Sequence, residues 1–267
     1  MKYMTFNRSC AFTCLANLLE SFEINVEDRD IIITAGIPYC FYQNDNYYFA
    51  GSQLQTKQYF DLYLNPIGFD FIVKKVSKAD ISDYLQSSKD VMIGLKLRTN
   101  GKHAVIYKGI KDNKYIFFNV KHIDEEALDY YSFTETELLS LVDDFIYPAY
   151  IEKIVPKQPD IAEASKSPLY FTKYKIELTN IFSSSPKKCT LISERDRLFA
   201  PLLLDFLTMT ELIKRADIHN KLLQLRKQYM ISIKPESCRE EIDTELLKDC
   251  LNEIDRMIID NNQYIYR

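Results

Sequence analysis

The stretch GKHAVIYKGIKDNKYIFFN, residues 101–119, decides the fold. Its two β-branched and aromatic runs, 103–108 and 114–119, flank Lys111-Asp112-Asn113, a turn signal, so the stretch reads as a β-hairpin. Residues 91–97 (VMIGLKL) have the same character and join it through Thr99-Asn100-Gly101. Three successive strands with short turns make an antiparallel meander. A strand at Phe69–Val73 and another at 145–154 extend the β inventory, with a helix between them at 134–142 that opens on the capping-box pattern Thr134-x-x-Glu137.

Upstream of the meander the periodicity is helical. Residues 10–22 (CAFTCLANLLESF) are apolar at 11, 12, 15, 16, 18, 19 and 22, a density that suits a helix buried on most sides, with Ser9 as its N-cap. Further helices are predicted at 27–35, 53–64 and 78–85, the last capped by Ser77, and the aromatic stretch 39–52 (YCFYQNDNYYFAGS) reads as a loop or hairpin. Helices first and sheet second is an α+β order, not an alternating α/β one. Residues 156–168 turn polar with three prolines and read as a linker; beyond them helices are expected at 169–182, 194–229 and 244–260. The predicted organisation is therefore a catalytic domain at 1–155, a linker at 156–168 and a helical region at 169–267 packed on it.

Composition removes several function classes. With 38 acidic against 34 basic residues the chain carries a net charge of −4, which argues against a nucleic-acid partner. No apolar run approaches the roughly 18–20 residues needed to cross a bilayer and no signal-peptide pattern opens the chain, so a cytoplasmic protein without a membrane partner is expected. Six glycines are too few for a glycine-rich phosphate loop. The six cysteines show no C-x-x-C and no zinc spacing, so reduced thiols and no metal are expected.

What remains is thiol chemistry. A cysteine at a helix N-terminus has its thiolate stabilised by the helix dipole and by the free first-turn N–H groups, which can also receive an oxyanion. Cys10 has that position; Cys14, one turn further in, reads as a packing thiol. His103 opens one strand of the hairpin and Asn119 closes the next, so the two are expected as cross-strand neighbours within hydrogen-bond reach. Cys10, His103 and Asn119 would then be nucleophile, base and orienting group. His122 and His219 show no partner pattern and are expected at the surface.

Residues 9–19 (SCAFTCLANLL) resemble the nucleophile helix of papain-fold proteins of the C39-like group, residues 101–109 (GKHAVIYKG) their histidine strand, and residues 115–119 (YIFFN) the strand of their third residue. The first 155 residues are also similar to the butirosin biosynthesis H N-terminal family and to the protease-like, amide-forming enzymes of polythioamide antibiotic assembly. The resemblance implies a papain-like fold and a Cys10 acyl-enzyme that moves an acyl group from a carrier-protein thioester to a small amine. No cofactor is implied beyond the phosphopantetheine of the acyl or peptidyl carrier. A cysteine peptidase or amidase with the same triad and water as acceptor is the alternative. Two positions depart from the pattern. Met4 stands where papain-fold enzymes place an oxyanion-hole glutamine, which leaves Asn7 and the backbone at Ala11 as the oxyanion candidates, and Ala11 replaces a common glycine. Lys214, Arg215, Lys221, Arg226 and Lys227 are the basic residues a carrier protein could meet.

Overall fold

The hairpin at 101–119 forms the centre of an antiparallel sheet in the computed structural model, which describes residues 1–6, 9–44, 47–98, 101–159, 175–176, 178–180, 199, 201–232 and 242–265. The elements run α1 (Cys10–Glu20), α2 (Asp28–Thr34), β1 (Phe41–Asn44), β2 (Tyr47–Ala50), α3 (Lys57–Leu64), β3 (Phe69–Val73), β4 (Val76–Ser77), α4 (Ile81–Gln86), β5 (Val91–Arg98), β6 (Gly101–Lys111), β7 (Lys114–Asn119), β8 (Tyr130–Phe133), α5 (Glu135–Ser140), β9 (Phe145–Ile146) and β10 (Ala149–Lys153). Three C-terminal helices follow, α6 (Phe206–Leu212), α7 (Ala216–Ser232) and α8 (Thr244–Ile265). The chain divides into two compact units, Met1–Ala35 with Gln55–Asp160, and Gly36–Leu54 with Ile161–Arg267. The aromatic segment at 39–52 therefore groups with the C-terminal residues and not with the sheet.

In the first unit six strands pair in the order β3-β10-β5-β6-β7-β8, all antiparallel, the α+β architecture expected. One face of the sheet carries Ile93, Leu95, Val105, Tyr107 and Phe117, buried with Ile81 and Leu85 of α4 and Leu138 of α5. Helix α1 is buried at every position from Ala11 to Leu19, because its apolar residues surround the axis and do not form a single stripe. It contacts β5, β6 and β10. Phe12 meets Phe60 of α3 edge-on with centroids 4.9 Å apart, and Phe60 meets Phe71 of β3 at 4.7 Å, so one aromatic chain ties α1 to α3 and to the sheet.

Local chemistry explains where the elements differ from expectation. Ser9 precedes α1 but does not cap it: its buried hydroxyl lies 2.8 Å from the Phe6 carbonyl oxygen and within hydrogen-bond reach of Asp28, to which it donates. Ser77 likewise makes no backbone cap; its hydroxyl donates to Asp80. The capping box of α5 forms as read, with the Glu137 N–H donating to Thr134 Oγ1 at 3.4 Å. The strand expected at 145–154 is split into β9 and β10 by Tyr147-Pro148, since proline has no N–H for a ladder. Strand β8 went unread, and α3 begins at Lys57, four residues later than expected. The helical zone at 194–229 contains a break: Lys214 adopts φ 59° between α6 and α7. The linker and the helix expected at 169–182 fall mostly outside the described residues, as do Cys189 and Cys238.

In the second unit β1 and β2 pair as a hairpin, and the π-helical turn Pro201–Asp205 meets the segment that follows it. Asp205, buried, accepts from the Ser52 N–H at 2.6 Å and the Ser52 hydroxyl at 2.9 Å. Tyr39 and Phe206 meet edge-on at 5.4 Å, and Phe199 stacks on Tyr229 at 4.7 Å. Gly51 carries φ +57°, and a Cβ there would lie 2.0 Å from Asp205 Oδ2. Gly51→Ala is accordingly expected to lower unfolding stability by about 1–3 kcal/mol or more, against about 1 kcal/mol for Ser52→Ala, as read by urea denaturation. Equal stability of Gly51→Ala and wild type would refute the contact.

Candidate active site

The site begins with the carboxylate of Asp28, the first residue of α2 and fully buried. It accepts hydrogen bonds from the backbone N–H of Thr5 at 3.0 Å, of Phe6 at 3.0 Å and of Arg29 at 3.0 Å. The hydroxyls of Thr5, Ser9 and Thr13 also donate to it. All but one of these donors belong to the segment that leads into Cys10 or to the first turns of α1. A buried charge is tolerated only when its lone pairs are met by donors, so this carboxylate holds the entry to the helix in one arrangement. The sequence predicts a helix at 27–35 without singling out Asp28; at its start Glu27 and Asp30 form a capping box.

Cys10 is the first residue of α1 and half-buried, whereas Cys14 is fully buried, as expected of a packing thiol. Burial, with a contribution from the neighbouring Cys10, pushes the Cys14 thiol well up, and burial pushes Cys250 up to about 11. No disulfide joins the cysteines among the described residues, and no His, Cys, Asp and Glu cluster there could hold a metal.

His103 and Asn119 are brought together. The register sets Leu95 opposite His103 and Val105 opposite Asn119, so the two residues are diagonal neighbours and not directly opposed. A bulge between Tyr107 and Gly109 offsets the strands. His103 Nε2 lies 2.8 Å from Asn119 Oδ1, with both residues buried. The amide has its orientation fixed from behind, because Asn119 Nδ2 donates to the Leu128 carbonyl oxygen at 2.8 Å. Oδ1 therefore faces the ring, Nε2 carries the proton that it accepts, and Nδ1 is the nitrogen with a lone pair for an incoming proton. His122 and His219 are not loose surface residues. His122 Nδ1 lies 3.1 Å from the Met4 carbonyl oxygen, and His219 Nδ1 lies 3.1 Å from that of Leu207.

Beside Cys10 opens a cavity of about 390 Å³. Its lining includes Phe60 and Phe71, with Met92, Ala104 and Ala149 from adjacent strands, and both chain neighbours of His103 reach it. Its lysines are committed. Lys57 lies 2.6 Å from Asp70 and 2.9 Å from Asp61, and Lys102 lies 2.7 Å from Asp143. Hydrogen bonds from Lys102 and Lys96 hold the Asp143 carboxyl down at about 2. The walls suit an apolar group more than a charged one.

Of the oxyanion candidates, Asn7 lies outside the described residues, and the Ala11 N–H points at a residue that sequence reading missed. Gln55, in the extended stretch before α3, brings its Oε1 to 3.4 Å from Ala11 N and 3.6 Å from Cys10 Sγ. It stands 45 residues after Cys10, at the start of the stretch 53–64 that the sequence predicts as helix, and the structure leaves it outside that helix, which begins at Lys57.

No family model matches the chain, and no curated protein matches it. Among solved structures it is similar to the peptidase domain of Streptococcus ComA, a bifunctional ABC transporter involved in quorum sensing. The identity is 11% and the TM-score 0.43, over 57% of this chain and 96% of that one.

Two outcomes follow from this geometry. Iodoacetamide at about pH 8 is expected to modify Cys10 in the native protein while Cys14 and Cys250, protonated and buried, react only after unfolding; peptide mapping reads the difference. Asp28→Ala strips the acceptor from several buried donors and is expected to cost about 3 kcal/mol or more in urea denaturation, a loss that a surface carboxylate would not show.

Proposed function

We propose that the protein is a thiol-dependent acyl-transfer enzyme in which Cys10 is the nucleophile, His103 the base and Asn119 the group that orients the base. The observation that carries this reading is the 2.8 Å bond between His103 Nε2 and Asn119 Oδ1, with the amide pinned by Leu128. A merely structural histidine needs a partner; this one has a partner that fixes its tautomer and leaves Nδ1 to accept a proton. The ring sits on β6, the strand that α1 contacts, and Cys10 heads α1. In the reaction so read, Nδ1 takes the thiol proton and Sγ attacks the carbonyl carbon of the donor. The C=O pair moves to oxygen, and collapse expels the leaving group with a proton from the imidazolium.

The more specific reading is amide formation. The donor is an acyl thioester on a carrier protein and the acceptor is an amine. Exchange of an acyl group between two sulfurs is nearly isoenergetic, so the aminolysis step is the one that needs His103 as base. The apolar cavity beside Cys10 supports an apolar acyl group. The basic residues considered for carrier docking give less support than expected, since Arg215 pairs with Asp217 at 3.0 Å and Lys221 with Asp249 at 2.6 Å; Arg226 and Lys227 remain exposed.

The test is intact-protein mass spectrometry after mixing the protein with acyl-pantetheine thioesters of several chain lengths. Wild type is expected to gain one acyl group that an amine discharges faster than water does, and Cys10→Ala to gain none. His103→Ala is expected to lose nearly as much as Cys10→Ala, because members of such a set act as a unit, and Asn119→Ala to lose less. Discharge by water alone would replace amide formation with hydrolysis, the activity of a cysteine peptidase or amidase. An adduct on Cys10→Ala would overturn the nucleophile.

A further inference from the structure

We propose that Gln55 is a catalytic residue whose side-chain amide, with the Ala11 N–H, forms the oxyanion site for Cys10; the inference rests on the acyl-transfer reading and names a residue which that reading does not contain. When Sγ bonds to a carbonyl carbon, the carbonyl oxygen gains negative charge about a bond length away from that carbon, and catalysis needs hydrogen-bond donors already aimed there. The structure marks this place. The Ala11 N–H, in the first turn of a helix where N–H groups have no intrahelical acceptor, donates at 3.4 Å to an oxygen that also lies 3.6 Å from Cys10 Sγ. That oxygen belongs to the carboxamide of Gln55. An amide oxygen set between the nucleophile and a first-turn N–H occupies the position that a substrate carbonyl oxygen must take.

The same carboxamide holds a donor. The terminal torsion of a glutamine is broad and roughly two-fold, so a half-turn exchanges Oε1 for Nε2 without moving the carbon chain. Once a substrate carbonyl enters, its oxygen replaces Oε1 as acceptor for the Ala11 N–H, and Gln55 turns to present Nε2–H from the other side. As the C–S bond forms, the C=O pair moves onto that oxygen between two donors, one from the backbone and one from the side chain. As the intermediate collapses, the pair returns, the leaving group departs with its proton from His103, and the amide is free to turn back.

The experiment compares two reactions of Cys10. Acylation by p-nitrophenyl hexanoate passes through an oxyanion and releases p-nitrophenolate. Alkylation by iodoacetamide forms an S–C bond with loss of iodide and makes no oxyanion, yet it requires the same folded, nucleophilic thiol. Gln55→Ala is expected to slow acylation by about 10²–10³-fold with alkylation held within about three-fold of wild type. Gln55→Glu keeps the size of the side chain, loses the donor and sets a negative charge against the developing one, so it is expected to lose at least as much.

Acylation of Gln55→Ala at or above the wild-type rate would overturn the proposal and make Gln55 an occupant of the site and not a donor. An equal fall of both reactions in both variants would reduce it to a structural residue. Wild type that alkylates at Cys10 but does not acylate would overturn the acyl-transfer reading itself, and the role of Gln55 with it, before either variant is measured.

Discussion

The buried carboxylate of Asp28 is the constraint from which the site is built. Removing a carboxylate from water costs several kcal/mol unless its oxygens are met by donors, and here the donors come from the segment leading into α1 and from Thr13 one turn inside it. The requirement runs in both directions. Thr5, Phe6, Ser9 and Thr13 must converge for Asp28 to be buried, and once they have converged the first turn of α1 has nowhere else to start. Ser9 is thereby diverted from capping the helix that it precedes. The first-turn N–H of Ala11 is left to a partner from outside the helix, which in this structure is Gln55.

A second, smaller constraint acts within the sheet. His103 and Asn119 meet because the bulge between Tyr107 and Gly109 sets the two strands at a diagonal offset. Without that offset the ring and the amide would be separated by the pleat. Asn119 is held at three points: its Oδ1 meets the ring, its Nδ2 donates to Leu128, and its backbone N–H donates to the Asp129 carbonyl oxygen at 2.8 Å. Such an amide cannot turn over without orphaning a buried group, so it holds the imidazole in one tautomer while adding no charge to it.

How much of this was legible in the sequence depended on whether the signal was periodic. Strand β3 fell on its expected residues, the meander strands lay within a few residues of theirs, and Thr134 capped α5, because alternation and capping boxes are local patterns that tertiary packing reinforced. Cys10 was placed at the head of a buried helix from the density of apolar positions together with Ser9 as the N-cap, and α1 does begin at Cys10 although the Ser9 hydroxyl does not cap it. Ser9 and Ser77 were misread because a serine before a helix has the same local signature whether its hydroxyl meets a backbone N–H or a carboxylate, Asp28 for Ser9 and Asp80 for Ser77. The excursion at 36–54 was read with the catalytic domain because chain order says nothing of which unit a segment joins; the Ser52 to Asp205 contact spans 153 positions. Gln55 was invisible for the same reason. It is the first residue of the sheet-bearing unit after that excursion, in an extended stretch whose position is set by its two ends and not by its own composition.

The electrostatic character of the site follows from how its charges are disposed. Among the residues lining the cavity, burial opposes the charge on Lys57, but its hydrogen bonds to Asp70 and Asp61 outweigh that cost and raise its pKa. Lys102 shares Asp143 with Lys96. Each cation is thus answered by a carboxylate, and the orienting group beside the imidazole is a neutral amide. A substrate entering such a space meets little net field. In the acyl transfer proposed above, its binding would rest on contact with Phe60, Phe71 and Met92, and the hydrogen bonds that matter would be those that strengthen as charge develops at the carbonyl oxygen. Apolar contact would then serve the ground state and aimed donors the transition state.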